Sequence, residues 1–191
     1  MIQLHKNIVS SETLETLKEI VKEKSKTYVT SNTNMNQVIK TDGYEANKIL
    51  RELVCNIATP TEIRDGKTYK YASITPGITY TQYSKGGNFH MHRDSPACPA
   101  EYTSLYTFLV YLTDDSTGST VFYPDAVDVE PGLRQFSGDV IARIRETKPR
   151  HIAPSAGDAV LFDIRIPHES LPCSGDKMLV ACKLMYDQIK N

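Results

Sequence analysis

Apolar residues recur at helical spacing in two segments of the first third of the chain. In the first segment, residues 10–24, the apolar positions from Leu14 to Val21 form one stripe, as in an amphipathic helix. Ser10 or Ser11 is suited to cap its N-terminus, because a serine hydroxyl accepts a hydrogen bond from a free N–H of the first turn. This segment is therefore predicted to be a helix with one buried face.

The second segment, residues 44–57, follows the i, i+3, i+4, i+7 pattern more closely, with apolar positions from Ala46 to Ile57. Pro60 and an Asp-Gly turn at residues 65 and 66 then interrupt the helical period. A second amphipathic helix is therefore predicted to end before Pro60.

From about residue 67 the pattern changes to short segments rich in Tyr, Thr, Val and Ile, separated by Gly or Pro turns. Many short strands in succession, without helices between them, favour a barrel or a double-sheet jelly roll over a parallel α/β sheet. The helices are too short to bury both apolar faces against each other, so we expect them to pack outside one sheet. The segments are YKYASI, ITYTQY, YTSLYTFLVYL, STVFY, DAVLFDI and KMLVACKLMY.

The predicted fold class is therefore mainly β with flanking α-helices. With 191 residues, 40% of them apolar and 24% charged, the chain has the size and composition of one globular domain. We expect a single domain over residues 1–191, in which residues 1–66 give helical support and residues 67–191 form the β-core.

The net charge of −1 leaves no electrostatic footprint for a nucleic acid or an acidic membrane surface. The N-terminus lacks the apolar core of a signal peptide, and no apolar stretch is long enough to cross a bilayer. Four widely spaced cysteines without a C-x-x-C pair indicate free thiols in a reducing compartment. We expect a cytoplasmic or other intracellular protein with no nucleic-acid or membrane partner. The cysteines are Cys55, Cys98, Cys173 and Cys182.

Metal-binding side chains are concentrated in the segment YSKGGNFHMHRD, residues 83–94. His90, His92 and Asp94 occupy alternate positions, so they share one face if the segment is extended. An H-x-D pair is a weak pattern by itself, because it also suits a polar strand edge. A complete metal site needs a further ligand from elsewhere in the chain.

His168 is the best candidate for that ligand, because it alternates with Ile164 and Ile166 at the end of a predicted strand. Together, His92, Asp94 and His168 would supply two imidazoles and one carboxylate. That set occupies one face of an octahedral Fe(II) and leaves three positions for other ligands.

Nine residues after His168, across the turn CSGD, Lys177 begins the last predicted strand. A dicarboxylate that chelates iron through one end needs a cation at its other end, and a lysine on a neighbouring strand can supply it. In isolation Lys177 would be an ordinary exposed strand lysine, but the ordered histidine, turn and lysine favour the binding role.

These features resemble the Fe(II)- and 2-oxoglutarate-dependent dioxygenases of the prolyl 4-hydroxylase type. The resemblance covers roughly residues 67–188. Its last segment contains three short motifs in the same order as in the family: G-D-A followed by hydrophobic residues, then H-E, then G-x-K. The first motif, Y-x-x-G-x-x-F-x-x-H-x-D, is matched by Tyr83, Gly86, Phe89, His92 and Asp94.

The resemblance implies a double-stranded β-helix with His92, Asp94 and His168 as iron ligands and Lys177 paired with the distal carboxylate of 2-oxoglutarate. It also implies that Tyr83 and Tyr111 line the co-substrate pocket, although a role in the core stays open for both tyrosines. Thr120 is a further candidate for the pocket wall. Fe(II), 2-oxoglutarate and dioxygen are the implied cofactors and co-substrates, with ascorbate as a candidate reductant.

The implied reaction hydroxylates an unactivated C–H bond and releases succinate and CO₂. The resemblance favours a prolyl residue in a peptide or protein as substrate, and a free amino acid or other small molecule is the alternative. A cupin-like metal protein would start from H-x-H but would place a glutamate where Pro96, Ala97 and Cys98 stand. A nucleic-acid demethylase of the AlkB type would have arginines after the second histidine, and KMLVACKLMY has none. A non-catalytic module on the same fold would not need the three metal ligands, and all three are present here.

Two features extend beyond the family pattern. On a regular strand, His90 would share the face of His92. The favoured interpretation of His90 is a polar residue at the mouth of the barrel, and the alternative is a role beside the metal or the substrate. Residues 123–154 form a longer segment than the simplest members need, and we expect a substrate loop or a lid there.

Overall fold

The computed structural model describes residues 1–25, 35–40, 44–96, 102–115 and 117–189. All six predicted strands and both predicted helices are present, and the fold class, mainly β with flanking helices, is confirmed. The helices are α1 (Ser11–Ser25), α2 (Tyr44–Cys55) and α3 (Gly138–Arg145). The strands are β1 (Ile2–His5), β2 (Met35–Lys40), β3 (Thr61–Arg64), β4 (Lys67–Ile74), β5 (Ile78–Tyr83), β6 (Phe89–His92), β7 (Thr103–Tyr111), β8 (Thr120–Phe122), β9 (Arg150–Ile152), β10 (Ala159–Asp163), β11 (His168–Ser170) and β12 (Lys177–Ile189).

The strands form two antiparallel sheets. In the large sheet β12 is central: one edge pairs with β7, and the other edge pairs first with β5 and then with β4. Beyond these strands, β7 pairs with β10 and β10 pairs with β1. On the other side, β5 pairs with β2 and β4 pairs with β3. The small sheet has the order β6-β11-β8-β9. The inner faces of the two sheets share a buried cluster that includes Leu109, Phe122, Phe162 and Leu179, which is the jelly roll expected from the sequence.

α1 and α2 pack on the outer face of the large sheet. Leu17 of α1 and Leu50 of α2 are fully buried in one cluster with Phe108 of β7 and Val180 of β12. Phe108 and Val180 alternate with the inward residues of their strands, so they lie on the outer face of the sheet. Ser10 caps α1, because its Oγ accepts a hydrogen bond of 3.2 Å from the N–H of Thr13. The predicted position of the two helices outside one sheet is therefore confirmed.

Residues 1–66 also contribute strands that the helical pattern of the sequence did not predict. β1 adds to the edge of the large sheet beside β10, and β3 forms a hairpin with β4. The predicted Asp-Gly turn closes this hairpin, with positive φ angles of 53° at Asp65 and 72° at Gly66, as a two-residue hairpin turn requires. Strands from both parts of the chain share one sheet, and on this basis we propose that the chain forms a single domain.

Residues 124–145, the cover segment, pack on the outer face of the small sheet. A short 3₁₀ helix (Pro124–Ala126) and α3 bury Ala126 and Ile144 against Met91 and Val121. None of residues 123–154, all of which the structure describes, lines the cavity between the sheets. The segment for which a substrate loop or a lid was expected packs in this structure on the small sheet, whose outward apolar residues need a partner.

Within the described residues, no helix is long and apolar enough to cross a membrane. Cys55, Cys173 and Cys182 are free thiols, and Cys98 lies outside the described residues.

Candidate metal centre

Two adjacent strands of the small sheet bring the predicted metal ligands together. His92 of β6 pairs directly with His168 of β11, so both imidazoles project from neighbouring positions on the inner face. Asp94 follows two residues after His92, and its Oδ1 lies 3.8 Å from His92 Nε2. One ligand atom from each of the three residues lies within 4.8 Å of the others. Two histidines and one carboxylate thus converge as a metal site requires.

Hydrogen bonds orient each of the three ligands. His92 Nδ1 is 2.8 Å from the carbonyl of His90, and His168 Nδ1 is 3.0 Å from the carbonyl of Ile166. If each Nδ1–H donates to its carbonyl, each Nε2 is left with a lone pair for a metal. Thr107 of β7 donates its hydroxyl to Oδ2 of Asp94, which leaves Oδ1 on the side of His92.

The ionisation of the cluster also suits a divalent cation. Burial, reinforced by the nearby charge of His168, lowers the pKa of His92 to about 4. Burial alone would raise the pKa of Asp94, but the neighbouring imidazoles of His168 and His92, the ammonium of Lys183 and the Thr107 hydrogen bond lower it overall. His92 is therefore neutral and Asp94 ionised near pH 7. A set of imidazole nitrogens and one carboxylate that fills a single face fits Fe(II) with open positions.

A β-bulge changes which side chains accompany His92. β11 advances two residues, from His168 to Ser170, while β6 advances three, from His92 to Phe89. The extra residue turns Phe89 inward, where its ring centroid lies 4.0 Å from that of His92, and leaves His90 exposed. The expectation that His90 shares the face of His92 was therefore wrong, because it assumed a regular strand.

Lys177 lies at the closed end of the same cavity and is fully buried. Its ammonium donates to the carbonyl of Gly118 at 2.7 Å and to the hydroxyl of Ser170. It also lies 5.0 Å from the ring centroid of Tyr83 and 5.9 Å from that of Tyr111. Burial lowers the pKa of Lys177 to about 8. Among the residues that the structure describes, no carboxylate forms a hydrogen bond with this buried ammonium, which is therefore suited to bind an anionic ligand.

The two predicted tyrosines surround this lysine. Tyr83 is the strand partner of Lys177 and lines the cavity. The hydroxyl of Tyr111 donates to Oγ1 of Thr120 at 2.7 Å, and Thr120 in turn lines the cavity. Tyr111 therefore lies behind Thr120 in the buried cluster around the lysine. Of the core and pocket roles that were open for both tyrosines, Tyr83 has a place in the cavity lining and Tyr111 lies in the core behind it.

Asp115 supports the lysine from behind and was not recognised in the sequence. Its Oδ1 accepts hydrogen bonds from the N–H groups of Thr117 and Gly118 and from the hydroxyl of Ser174. These bonds fix the loop whose Gly118 carbonyl accepts from Lys177. The sequence signal is an Asp followed two and three residues later by turn formers, which is common in loops of every kind.

Arg93, between two of the candidate ligands, was also missed. Its buried guanidinium donates to six backbone carbonyls, five of them in the cover segment and one in Arg165. Its charge is therefore dispersed over carbonyl dipoles rather than paired with one acid. Arg93 joins the end of β6, between His92 and Asp94, to residues 126–133.

We expect the substitution Arg93→Met to lower the free energy of unfolding by about 3–5 kcal/mol, because it leaves buried carbonyls without a donor. Urea unfolding followed by circular dichroism measures this change. Arg143→Met is the matched control: Arg143 forms an exposed ion pair with Glu130, and its loss should cost less than about 1 kcal/mol. Equal losses in both variants would contradict the anchoring role of Arg93.

The candidate ligands and Lys177 share one cavity of about 430 Å³ between the two sheets. Its lining combines apolar side chains with hydroxyl-bearing ones, which include Ser170 beside the lysine and Thr107 beside Asp94. The lining residues are Thr75, Pro76, Gly77, Thr79, Thr81, Tyr83, Phe89, His92, Arg93, Asp94, Ser95, Thr107, Leu109, Thr120, Phe162, His168, Glu169, Ser170, Lys177, Leu179, Ala181, Cys182 and Lys183.

Comparison with known proteins gives an independent result. The sequence profile of the 2OG-Fe(II) oxygenase superfamily matches residues 78–184, more than half of the chain. This range contains His92, Asp94, His168 and Lys177. No curated protein sequence matches the chain.

Three similar solved structures share the fold. A prolyl-4-hydroxylase from Pseudomonas putida is 11% identical, with a TM-score of 0.62, over 100% of this chain and 93% of the other. A Trichoplax adhaerens prolyl hydroxylase, solved with a hypoxia-inducible-factor peptide fragment, is 18% identical, with a TM-score of 0.66, over 96% and 82%. The α-ketoglutarate-dependent carbocyclase SnoK of nogalamycin biosynthesis is 13% identical, with a TM-score of 0.73, over 96% and 79%.

Proposed function

The chain belongs to the 2OG-Fe(II) oxygenase superfamily, and from this premise we propose that it hydroxylates an unactivated C–H bond of a prolyl residue in a peptide or protein. The observation that carries the proposal is the convergence of His92, Asp94 and His168 in one cavity with the buried ammonium of Lys177. The first three residues supply the donor set for Fe(II), and the fourth supplies the cation for 2-oxoglutarate.

In the proposed site, Nε2 of His92, Nε2 of His168 and a carboxylate oxygen of Asp94 would hold Fe(II). Lys177 would hold the distal carboxylate of 2-oxoglutarate, exchanging the neutral hydroxyl of Ser170 for a charged acceptor. With dioxygen, the bound iron and 2-oxoglutarate supply an oxidation that converts C–H to C–OH and yields succinate and CO₂.

The surrounding residues orient the reactants and exclude water. Leu109, Phe162, Leu179 and Ala181 are buried and line the cavity, so they form a dry wall beside the candidate metal ligands. Thr107 keeps Oδ2 of Asp94 occupied by its hydrogen bond, so Oδ1 would be the oxygen available to hold the metal. These contacts preorganise the site before any ligand enters.

The cupin-like alternative without 2-oxoglutarate is less well supported. Such a protein would not need a fully buried lysine at the closed end of its metal cavity. The prolyl specificity is supported by the two prolyl hydroxylases that share the fold, and a small-molecule substrate is the alternative outcome of the test below.

The proposal is tested with iron-loaded protein, 2-oxoglutarate and proline-containing peptides in the presence of oxygen. We expect peptide-stimulated succinate formation, together with the gain of one oxygen atom on proline, located by mass spectrometry of the peptide. Succinate formation that peptides do not stimulate would redirect the substrate to a small molecule. Absence of succinate with iron bound would contradict the dioxygenase function.

The pKa of Lys177 predicts how the affinity for 2-oxoglutarate depends on pH. Only the protonated ammonium attracts a carboxylate, and in the ligand-free protein this form is lost as the pH rises through about 8. We therefore expect the KM for 2-oxoglutarate to be constant below this value and to rise by up to about tenfold per pH unit above it. Succinate assays at a series of 2-oxoglutarate concentrations from neutral to alkaline pH measure the change. A KM that stays constant through pH 9 would contradict the role of Lys177.

A further inference from the structure

Asp94 lies beyond the end of the strand that carries His92. The ladder between β6 and β11 reaches His92, which pairs with His168, and β6 ends at that residue. Thr107 fixes the side chain of Asp94 by a hydrogen bond, but the backbone of Asp94 follows directly from Arg93. The position of the carboxylate beside the two imidazoles therefore depends on what holds Arg93.

The cover segment holds this part of the chain from the outer side. His92 forms an isolated antiparallel bridge with Gln135. The backbone N–H of Arg93 donates to the carbonyl of Arg134 at 3.0 Å, and the guanidinium of Arg134 donates to Oγ of Ser95 at 2.9 Å. Residues 92–95 are thus attached to the cover segment where the ladder with β11 stops.

The side chain of Arg93 connects the segments that carry all three candidate ligands. Arg93 itself lies between His92 and Asp94, and its Nε donates to the carbonyl of Arg165 at 2.7 Å. Arg165 belongs to the turn that leads into His168, three residues later. The other five hydrogen bonds of the guanidinium, 2.7–3.0 Å long, run to carbonyls of the cover segment between residues 126 and 133.

The backbone of the cover segment is bent around this guanidinium. Glu130 has a left-handed conformation with a φ angle of 48°, and Gly132 has one with a φ angle of 89°. Such a conformation is unfavourable for glutamate and persists only where surrounding contacts hold it. The carbonyl of Glu130 accepts from Arg93 at 2.8 Å, and the ring centroid of Phe136 lies 5.0 Å from the guanidinium carbon. The loop therefore needs Arg93 to keep this shape.

We propose that Arg93 is a positioning residue of the metal centre and couples metal binding to the packing of the cover segment on the small sheet. The inference rests on the proposed function, because the coupling needs a metal on His92, Asp94 and His168. A metal that fixes these ligands also fixes the backbone on either side of Arg93, and the guanidinium transmits this order to residues 126–133. Coupling of this kind is reciprocal, so a packed cover segment strengthens metal binding by the factor by which metal stabilises the cover.

The first test measures Co(II) binding by anaerobic calorimetry, without 2-oxoglutarate, on variants that circular dichroism shows to be folded. Co(II) stands next to Fe(II) in its affinity for such donors. We expect Arg93→Met to weaken binding by about 10–100-fold, the usual effect of disturbing a group that orients metal ligands. Leu50→Ala is the matched control, because Leu50 is fully buried on the outer face of the large sheet and its truncation destabilises the fold elsewhere. Wild-type affinity in Arg93→Met, or an equal loss in both variants, overturns the proposal.

The visible absorption spectrum of the bound Co(II) distinguishes positioning from a general loss of stability, because its bands depend on the ligands and their geometry. At saturation we expect an altered spectrum for Arg93→Met and the wild-type spectrum for Leu50→Ala. Arg93→Lys keeps the charge and three donors, so it should recover part of the Co(II) affinity. Identical spectra for Arg93→Met and the wild type would show that the ligands keep their places without the guanidinium, which overturns the positioning role.

Hydrogen exchange of the wild type tests the coupling even if Arg93→Met does not fold. Saturating Co(II) should slow the exchange of the amides of residues 126–133 by about tenfold or more, as the reciprocal of the effect on affinity requires. The amides of Ile57 and Ala58, which close the end of α2 outside the large sheet, should change little. Unchanged exchange of residues 126–133 in fully loaded protein overturns the role of Arg93 alone. Wild-type protein that binds neither Co(II) nor Fe(II) would overturn the proposed metal centre, and the coupling with it.

Discussion

Replacing His168 with alanine is expected to abolish succinate formation and to weaken Fe(II) binding by more than about 100-fold. Disturbing a group that merely orients a metal ligand already costs 10–100-fold in metal affinity or activity, and His168 is a candidate ligand itself. Its ring contributes one of the three donors in the cluster and packs 4.3 Å, between centroids, from the ring of His92. Equilibrium dialysis under anaerobic conditions measures the affinity, and the succinate assay measures the activity.

Two further variants keep this prediction specific. His168→Gln preserves most of the side-chain volume and should lose activity like the alanine variant, which excludes an effect of the cavity alone. His151→Ala removes an exposed histidine outside the cavity and should retain wild-type iron binding. Wild-type iron affinity in both His168 variants would show that the metal is held elsewhere.

The second large effect is expected for Lys177→Met, which should raise the KM for 2-oxoglutarate by about 100-fold. Methionine keeps a similar length but removes the only cationic side chain described at the closed end of the cavity. Loss of a charged hydrogen bond to a buried carboxylate costs about 3 kcal/mol, or roughly 100-fold in affinity. Iron affinity without 2-oxoglutarate should change little, because Lys177 is not among the clustered ligands.

Circular dichroism distinguishes this effect from misfolding, and the exposed Lys67 offers a matched control. Lys67→Met should leave the KM for 2-oxoglutarate unchanged. If folded Lys177→Met protein binds 2-oxoglutarate as tightly as the wild type, the distal carboxylate is held by another group.

The parts of the fold that the sequence predicts well are those with a strong local signal. The apolar faces of α1 and α2 have a clear helical period, and β5 and β12 come from short segments rich in strand-forming residues between turns; each forms the element predicted from it. The chemistry-bearing motifs are also local in sequence, and the pairing of β6 with β11 brings them together. That pairing could be inferred only through the resemblance to a family, because nothing local specifies it.

The features that were missed depend on contacts with distant residues. β1 has only four residues and forms because β10 offers a free edge. The outward turn of His90 follows from a register shift between two strands, which residue spacing does not encode. Arg93 resembles any arginine in the sequence, and its six carbonyl partners lie in segments that only the fold brings near.

The central claim is that this cavity turns over 2-oxoglutarate with iron held by His92, Asp94 and His168. The most direct measurement admits oxygen to anaerobically prepared protein loaded with Fe(II), 2-oxoglutarate and the proline-containing peptides, and quantifies succinate against the oxygen consumed, in wild type and in His168→Ala. The account predicts one succinate for each dioxygen in the wild type and none above background in the variant. Iron-loaded wild-type protein that forms no succinate, or equal turnover by His168→Ala, would contradict it.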